Sequence, residues 1–392
     1  MFPFIKSPNT LVNIFIILLA VAPAFALGEG NKNLLLIGAM CFSPYFFIKY
    51  PVILPKIDIP LTSICLMMIS FTVVFHPETL RWSTLMYSCL FCMFFMSFAR
   101  VLSFSDYKAE DFAKLIKWLL YAYCITLMIQ QFCVLTGLPI FNLANYSVKE
   151  PWKLNSLMSE PSHSARIIPV LMYIFVCYQK NSNPELSLKD SIKESKSVWG
   201  AFMWCILTMG STTGFIFLII VIAKFIGIKK ILPSIFLMLT IFVFFVYSNN
   251  KYVKRTTRVI VATLTLDEKA IIKADHSASF RIVPSIQGAK AVSLADKEGW
   301  VGHGVDADSH YIKPLPSVKN GNAGSFYMWF NYGVICTFTY WIFTLLVCYQ
   351  KHDMVSVLIW LLCIFMYGGI NNQIIWLTLI LLYAQKTTQK KI

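Results

Sequence analysis

The sequence predicts an all-α, polytopic membrane helical bundle of about 12 spans with one large outer loop, and three observations carry that expectation. Hydrophobic residues make up 57% of the 392 positions and charged residues 14%, which is more apolar surface than one water-soluble core of this length can hide. Apolar stretches of membrane-crossing length recur along the whole chain. One long polar segment, Asn249 to about Ser325, interrupts them.

A helix needs roughly 20 apolar residues to cross about 30 Å of hydrocarbon. On that rule the spans fall near 10–27, 33–49, 58–75, 84–104, 113–136, 164–179, 198–211, 213–227, 231–248, 325–348, 353–369 and 372–385. The chain divides accordingly into an N-terminal membrane region (1–248, with an outer loop at 136–163), a large loop (249–324) and a C-terminal membrane region (325–392). Ala24-Phe25-Ala26, following Lys6, resembles a signal-peptidase site, and cleavage there leaves the remaining topology unchanged. All eleven cysteines lie in expected spans and none in the large loop, which argues against a disulfide framework or a cysteine zinc site. No fixed-period repeat and no matched pair of broken helices is present, which counts against a secondary transporter.

Orientation follows from Lys and Arg in the short loops, which cytoplasmic loops retain. With the N-terminus inside, about 18 of these residues face inward and about 5 outward, so both termini are expected in the cytoplasm. The formal net charge of +15 then follows from membrane topology, and no basic patch interleaved with aromatics points to nucleic acid. Membrane lipids are the expected surroundings, with Lys254, Arg255 and Arg258 suited to anionic headgroups. Five of six histidines (His76, His163, His276, His303 and His310) fall on the outer side, and only His352 faces in.

Candidate chemistry collects on that outer side. Ser159-Glu160-Pro161-Ser162-His163-Ser164-Ala165-Arg166 opens the sixth span. Ser159 is the expected N-cap with Pro161 just inside, so Glu160, His163 and Arg166 form a stripe at a positive helix end suited to an anionic or hydroxyl-bearing ligand. Asp275-His276-Ser277-Ala278-Ser279-Phe280-Arg281 opens a loop helix running from about Ser279 to Asp296, with Pro284 in its first turns. A second, amphipathic helix is expected at 256–272. Arg281 brings the bidentate, non-titrating charge that a diphosphate needs. Gly302 and Gly304 flank His303 and permit tight turns close to a ligand, and Asp306, Asp308 and His310 follow. Asn322 and Tyr332 mark the loop's re-entry into the membrane, and Gly368-Gly369-Ile370-Asn371-Asn372 joins the last two spans. Each group also has a plain structural reading, as a polar cap or solvated turn.

In their order, these elements resemble the Wzy-type O-antigen polymerases. Glu160-Pro161-Ser162 looks like that family's E-P-S element, Gly210-Ser211-Thr212-Thr213-Gly214 like its small-polar hairpin, and Arg281 like its loop-helix arginine. Gly302-His303-Gly304 is similar to its G-x-G turn, and Tyr332-Gly333-Val334-Ile335 to the start of its next span. Asn322 stands near where related ligases carry a histidine, and Thr212 or Thr213 where an arginine is common in the hairpin.

The resemblance implies a GT-C-like membrane glycosyltransferase on the periplasmic face of a Gram-negative inner membrane, without metal or other cofactor. Its substrate would be oligosaccharide repeat units on undecaprenyl diphosphate, with a chain-length regulator and a flippase as partners. Arg166 and Arg281 are then expected to stabilise the departing diphosphate, and Glu160 to act as base with His303 and His310 as alternatives. His163, Arg258, Gly302, Gly304, Asn322 and Tyr332 are the expected substrate contacts. An O-antigen ligase uses the same donor and is the nearest enzyme alternative. A lipid-linked oligosaccharide flippase is the transporter alternative, but it needs ionisable residues along a central cavity, and here they lie at span ends and in one loop.

Overall fold

Proline marks the start of four helices, where its missing N–H costs nothing and its fixed φ favours the first turn: Pro8, Pro44, Pro55 and Pro161. The computed structural model describes residues 7–25, 33–142, 151–209, 211–225, 258–259, 261–316, 320–351 and 353–389. Among them the regular structure is helical, without strands. The first part of the chain forms α1 (Pro8–Val21), α2 (Leu34–Cys41), α3 (Ser43–Lys49), α4 (Pro55–Phe75), α5 (Trp82–Ser103) and α6 (Ala109–Thr136). Next come α7 (Pro161–Ser182), α8 (Leu188–Glu194), α9 (Lys196–Thr208) and α10 (Thr212–Ala223). The large loop contributes α11 (Glu268–Ala274), α12 (His276–Ala291), α13 (Lys297–Val301) and α14 (Asp308–Tyr311). The chain closes with α15 (Tyr327–Cys348), α16 (Met354–Cys363) and α17 (Gln373–Gln389).

Helices stand at eleven of the expected spans; the ninth, 231–248, lies outside the described residues. Among the described residues, four helical segments are long and apolar enough to cross a membrane: Pro55–Phe75, Trp82–Ser103, Ala109–Thr136 and Gly324–Cys348. Others are shorter. The expected 33–49 span breaks at Phe42 because Pro44 has no N–H for the carbonyl four residues back, and Phe42 bonds to Ala39 instead. At thirteen and twelve residues, α9 and α10 fall short of the roughly 20 needed to cross unaided.

Burial sorts the helices. Ile167 to Cys177 of α7 is buried on every side, as is Ile374 to Leu382 of α17, so these two form the centre. Apolar residues on all faces suit such a position. By contrast α4 exposes Ile59, Leu66 and Val74, and α6 exposes Trp118, Ile125, Ile129 and Phe132. An apolar surface of that extent on the outside of a bundle calls for an apolar surrounding, here a bilayer.

The polar connections segregate to two ends. Arg81 and Thr84 at the start of α5 bond to Asp306 of the large loop at 3.1 and 2.8 Å. Gln130 in α6 donates to the carbonyl of Ser156, at 3.3 Å, and accepts from its amide at 2.9 Å, which holds the segment before α7. At the opposite end Arg100 makes a two-pronged pair with Asp58 at 2.8 and 2.9 Å, while Asp353 accepts from Tyr173 at 2.6 Å and pairs with Lys224.

Within the large loop, α12 begins at His276, earlier than its sequence pattern indicates, so Pro284 lies in the helix interior and not in its first turns. Ala262, Ile271, Val283, Ile286 and Leu315 form a small core of the loop's own. The middle of α12 packs onto the turn Gly324–Phe326, where Ser285 meets Ser325 at 3.0 Å. A kink at Gly333 then lets α15 fold under the loop.

Candidate functional site

The mouth of α7 is fixed from below. Asn155 Nδ2 donates to the Met158 carbonyl at 2.7 Å, and the Ser164 hydroxyl returns to the Asn155 carbonyl. The N-cap is Glu160, not Ser159, with extended backbone and no side-chain capping bond. Its carboxylate is therefore left at the positive end of the helix, half-exposed, where it accepts from Ser162 Oγ at 3.2 Å and lies 3.7 Å from His163 Nε2. Ser159, displaced from the cap, contacts His163 Nδ1 at 3.0 Å and sets the ring's position.

One turn on, Arg166 is buried, and its guanidinium lies over the Tyr367 ring at 4.1 Å. Such cation–π contact holds a guanidinium without neutralising it. Arg166 Nε is buried with no hydrogen-bond partner. Tyr367 ends the 3-10 turn Phe365–Tyr367, and Gly368 after it packs against Gly324 of the loop's re-entry turn. From the large loop α12 brings Arg281, and the charges of Arg166, Tyr367, Glu160 and Asp275 all bear on it. Burial first, and the Arg166 charge second, hold the Arg281 guanidinium below its ordinary value. The His163 imidazole feels Glu160, Arg166 and Arg281 together.

Segments more than a hundred residues apart thus come within electrostatic reach: Glu160, His163 and Arg166 from α7, and Arg281 from α12, with Tyr367 against Arg166. Neither Arg166 nor Arg281 forms an ion pair among the described residues, whereas Arg100 at the opposite end is met by both oxygens of Asp58. Two guanidiniums withdrawn from water and outside any ion pair among the described residues keep donors open to an anion. The hairpin that opens α10 supports the same helix: Gly214 packs on Ala165, next to Arg166, and Ser211 is buried beside it. Gly210 lies outside the described residues.

The other expected site residues are placed elsewhere. Gly302 and Gly304 have φ of 82° and 95°, but the close approach they permit is to protein and not to open space. A Cβ on Gly302 would lie 2.2 Å from the Asn331 carbonyl, and one on Gly304 2.0 Å from Thr79. His303 stacks flat on Phe330 with ring centres 4.1 Å apart, and its Nδ1 contacts the Phe330 carbonyl at 3.1 Å. His310 and Arg258 are exposed, and Asn322, also exposed, accepts from the Gly324 amide at 2.6 Å. Tyr332 is fully buried, its ring edge-on to Tyr327 at 6.4 Å, so it packs the base of the loop.

Asp306 and Asp308 anchor the loop. Asp306 takes Arg81 and Thr84, as above, while Asp308 accepts from Asn331 Nδ2 at 3.1 Å and from the Ala323 amide at 3.2 Å. Burial holds the Asp308 carboxyl above the ordinary aspartate range, against the opposing pull of those two donors. Asp308→Ala would leave the Ala323 amide and one of the two Asn331 Nδ2 hydrogens buried and unmet, the other still reaching the Tyr327 carbonyl at 3.1 Å, at a cost of about 2–4 kcal/mol. The purified variant should melt earlier and be cut more readily by protease between 305 and 325. An unchanged melting temperature would show that the loop is held some other way.

Tyr367 is a site residue that the sequence pattern did not single out, while His76 stood only as one of the outer-side histidines and Asn331 only within the re-entry stretch. Tyr367 could have been noticed as the aromatic just before Gly368-Gly369, but nothing in its spacing indicates an arginine partner. The sequence matches no protein-family model and no curated protein.

Proposed function

We propose that this chain is an O-antigen polymerase: a membrane glycosyltransferase that joins oligosaccharide repeat units carried on undecaprenyl diphosphate, at the end of the bundle that bears the large loop. The observation that supports this reading is that Arg166 and Arg281, neither in an ion pair among the described residues, come within electrostatic reach of each other and of Glu160. On this reading both termini are cytoplasmic, and the loop end faces the periplasm of a Gram-negative cell.

The reaction is a single displacement. The growing chain's reducing-end sugar leaves its lipid diphosphate and forms a new glycosidic bond to a hydroxyl of the incoming lipid-linked unit. Glu160 takes the hydroxyl proton as the C1–O bond forms. The C1–O bond to the diphosphate breaks with its electron pair on oxygen, and the two guanidiniums receive the charge as it develops. His163, held by Ser159 and adjacent to Glu160, orients the carboxylate. Tyr367 keeps Arg166 in place without consuming its charge.

The test is genetic and chemical. Deleting the gene in a strain that makes its own O-antigen should leave lipopolysaccharide capped with a single repeat unit, and the plasmid-borne gene should restore the ladder. Bare core with lipid-linked polymer accumulating would assign a ligase instead. Loss of all periplasmic lipid-linked units would assign a flippase.

A further inference from the structure

A concavity lies toward the other end of α12 from Arg281. Its volume is about 480 Å³, and His76, Asp296, Glu298, His303 and Tyr311 line it, with Ala291 where α12 ends. Arg281 and Ala291 are ten residues apart on one helix, which separates the cavity from the arginine group by about 15 Å. Its volume is in the range of small-ligand pockets, about 300–1,000 Å³.

The lining has a consistent chemistry. His76 Nε2 is buried without a hydrogen-bond partner, and its Nδ1 lies 3.4 Å from Glu78. His303 is immobilised against Phe330, and the exposed Tyr311 ring lies 6.0 Å from it. Neither Asp296 nor Glu298 has a side-chain hydrogen bond or ion pair among the described residues. The neighbouring cations are turned away: Lys297 Nζ sits over the Phe75 ring at 4.6 Å, and Lys290 pairs with Glu268 at 2.7 Å. An aromatic face, an unmet imidazole nitrogen and two free carboxylates offer a surface for an apolar ring face and several acceptors for hydroxyl or ammonium hydrogens. The same carboxylates, with no cation to offset them, repel an acidic ligand.

We infer that this cavity binds sugars of the oligosaccharide at a distance from the bond being formed, accepting neutral and amino sugars and rejecting uronic acids. That the bound glycan is the enzyme's own substrate rests on the polymerase reading. Binding so far from the reacting atoms acts on how long a chain is retained, so Asp296→Asn with Glu298→Gln should shift the ladder to shorter chains.

Full-length protein in detergent tests the site directly, with three trisaccharide probes: glucosamine trimer, N-acetylglucosamine trimer and galacturonate trimer. Saturation-transfer NMR should show the first two binding and the third not. The double variant keeps the cavity's shape, and it should lose this discrimination by admitting the galacturonate trimer. If no trimer binds, or if wild-type protein takes galacturonate as well as glucosamine, the inference is overturned. Discriminating binding together with full polymerisation by Arg281→Ala would uphold this cavity and remove the catalytic assignment. Inactive Arg281→Ala with no saccharide binding would do the reverse.

Discussion

Arg281→Ala should lower polymerisation by about 10²–10³-fold, the usual cost of removing one preorganised group that stabilises developing negative charge. Arg166→Ala should do the same. The two variants are not equivalent as tests. Arg166 is buried over Tyr367, so its removal also leaves a gap in the packing, and protein level and melting temperature must be followed beside the ladder. Arg281 is only partly buried, which makes its loss the cleaner measurement. Arg281→Lys should recover part of the activity, because the charge returns without the bidentate fork. Glu160→Gln preserves the shape of the α7 mouth and removes the proton acceptor, at a cost of about 10²-fold or more. A complete ladder from both alanine variants at normal protein levels would sink the assignment.

Asp58→Ala should be the most damaging single change to stability. Asp58 and Arg100 are both largely buried, their two hydrogen bonds are 2.8 and 2.9 Å long, and the guanidinium also lies over Phe47 at 4.1 Å. Asp58 in addition accepts from the Leu54 amide at 2.7 Å and so secures the start of α4. Removing it strands a buried charge, which costs about 3–5 kcal/mol. The variant should accumulate poorly and melt well below the parent in detergent. Asp58→Leu combined with Arg100→Met should recover most of the loss, since replacing both partners by apolar side chains of similar volume is near neutral. A double variant no better than the single one would show that the pair does more than compensate its own charges. The contrast with Arg166 and Arg281 matters for function: the chain neutralises an arginine used in its framework and leaves two others unpaired at the loop end.

Much of the fold was legible in the chain because the bilayer imposes one rule. An apolar run of sufficient length forms a helix, since no water is present to satisfy its backbone, so α4, α5, α6 and α15 stand where hydropathy puts them. The boundaries were less legible. Pro44 splits one expected span, and α12 starts at His276, so that Pro284 falls inside it, next to the Ser285 and Gly288 contacts with the Gly324–Phe326 region. Which buried face each helix presents was not legible either: α7 and α6 are both apolar, yet one is central and the other peripheral.

The candidate site divides along the same line. Glu160, His163 and Arg166 follow from sequence alone, because residues three apart on a helix start share one side of it. Arg281 could be named as a lone cation but not given a neighbour. Its approach to Arg166 and Glu160, the confinement of Gly302 and Gly304 against Asn331 and Thr79, and the placement of His303 in a cavity away from them depend on contacts between segments far apart in the chain. Local pattern encodes periodicity and caps, so it reveals the helices and the chemistry each one carries. Only the packing of those helices determines which charges become neighbours and which of them are left without a counter-ion.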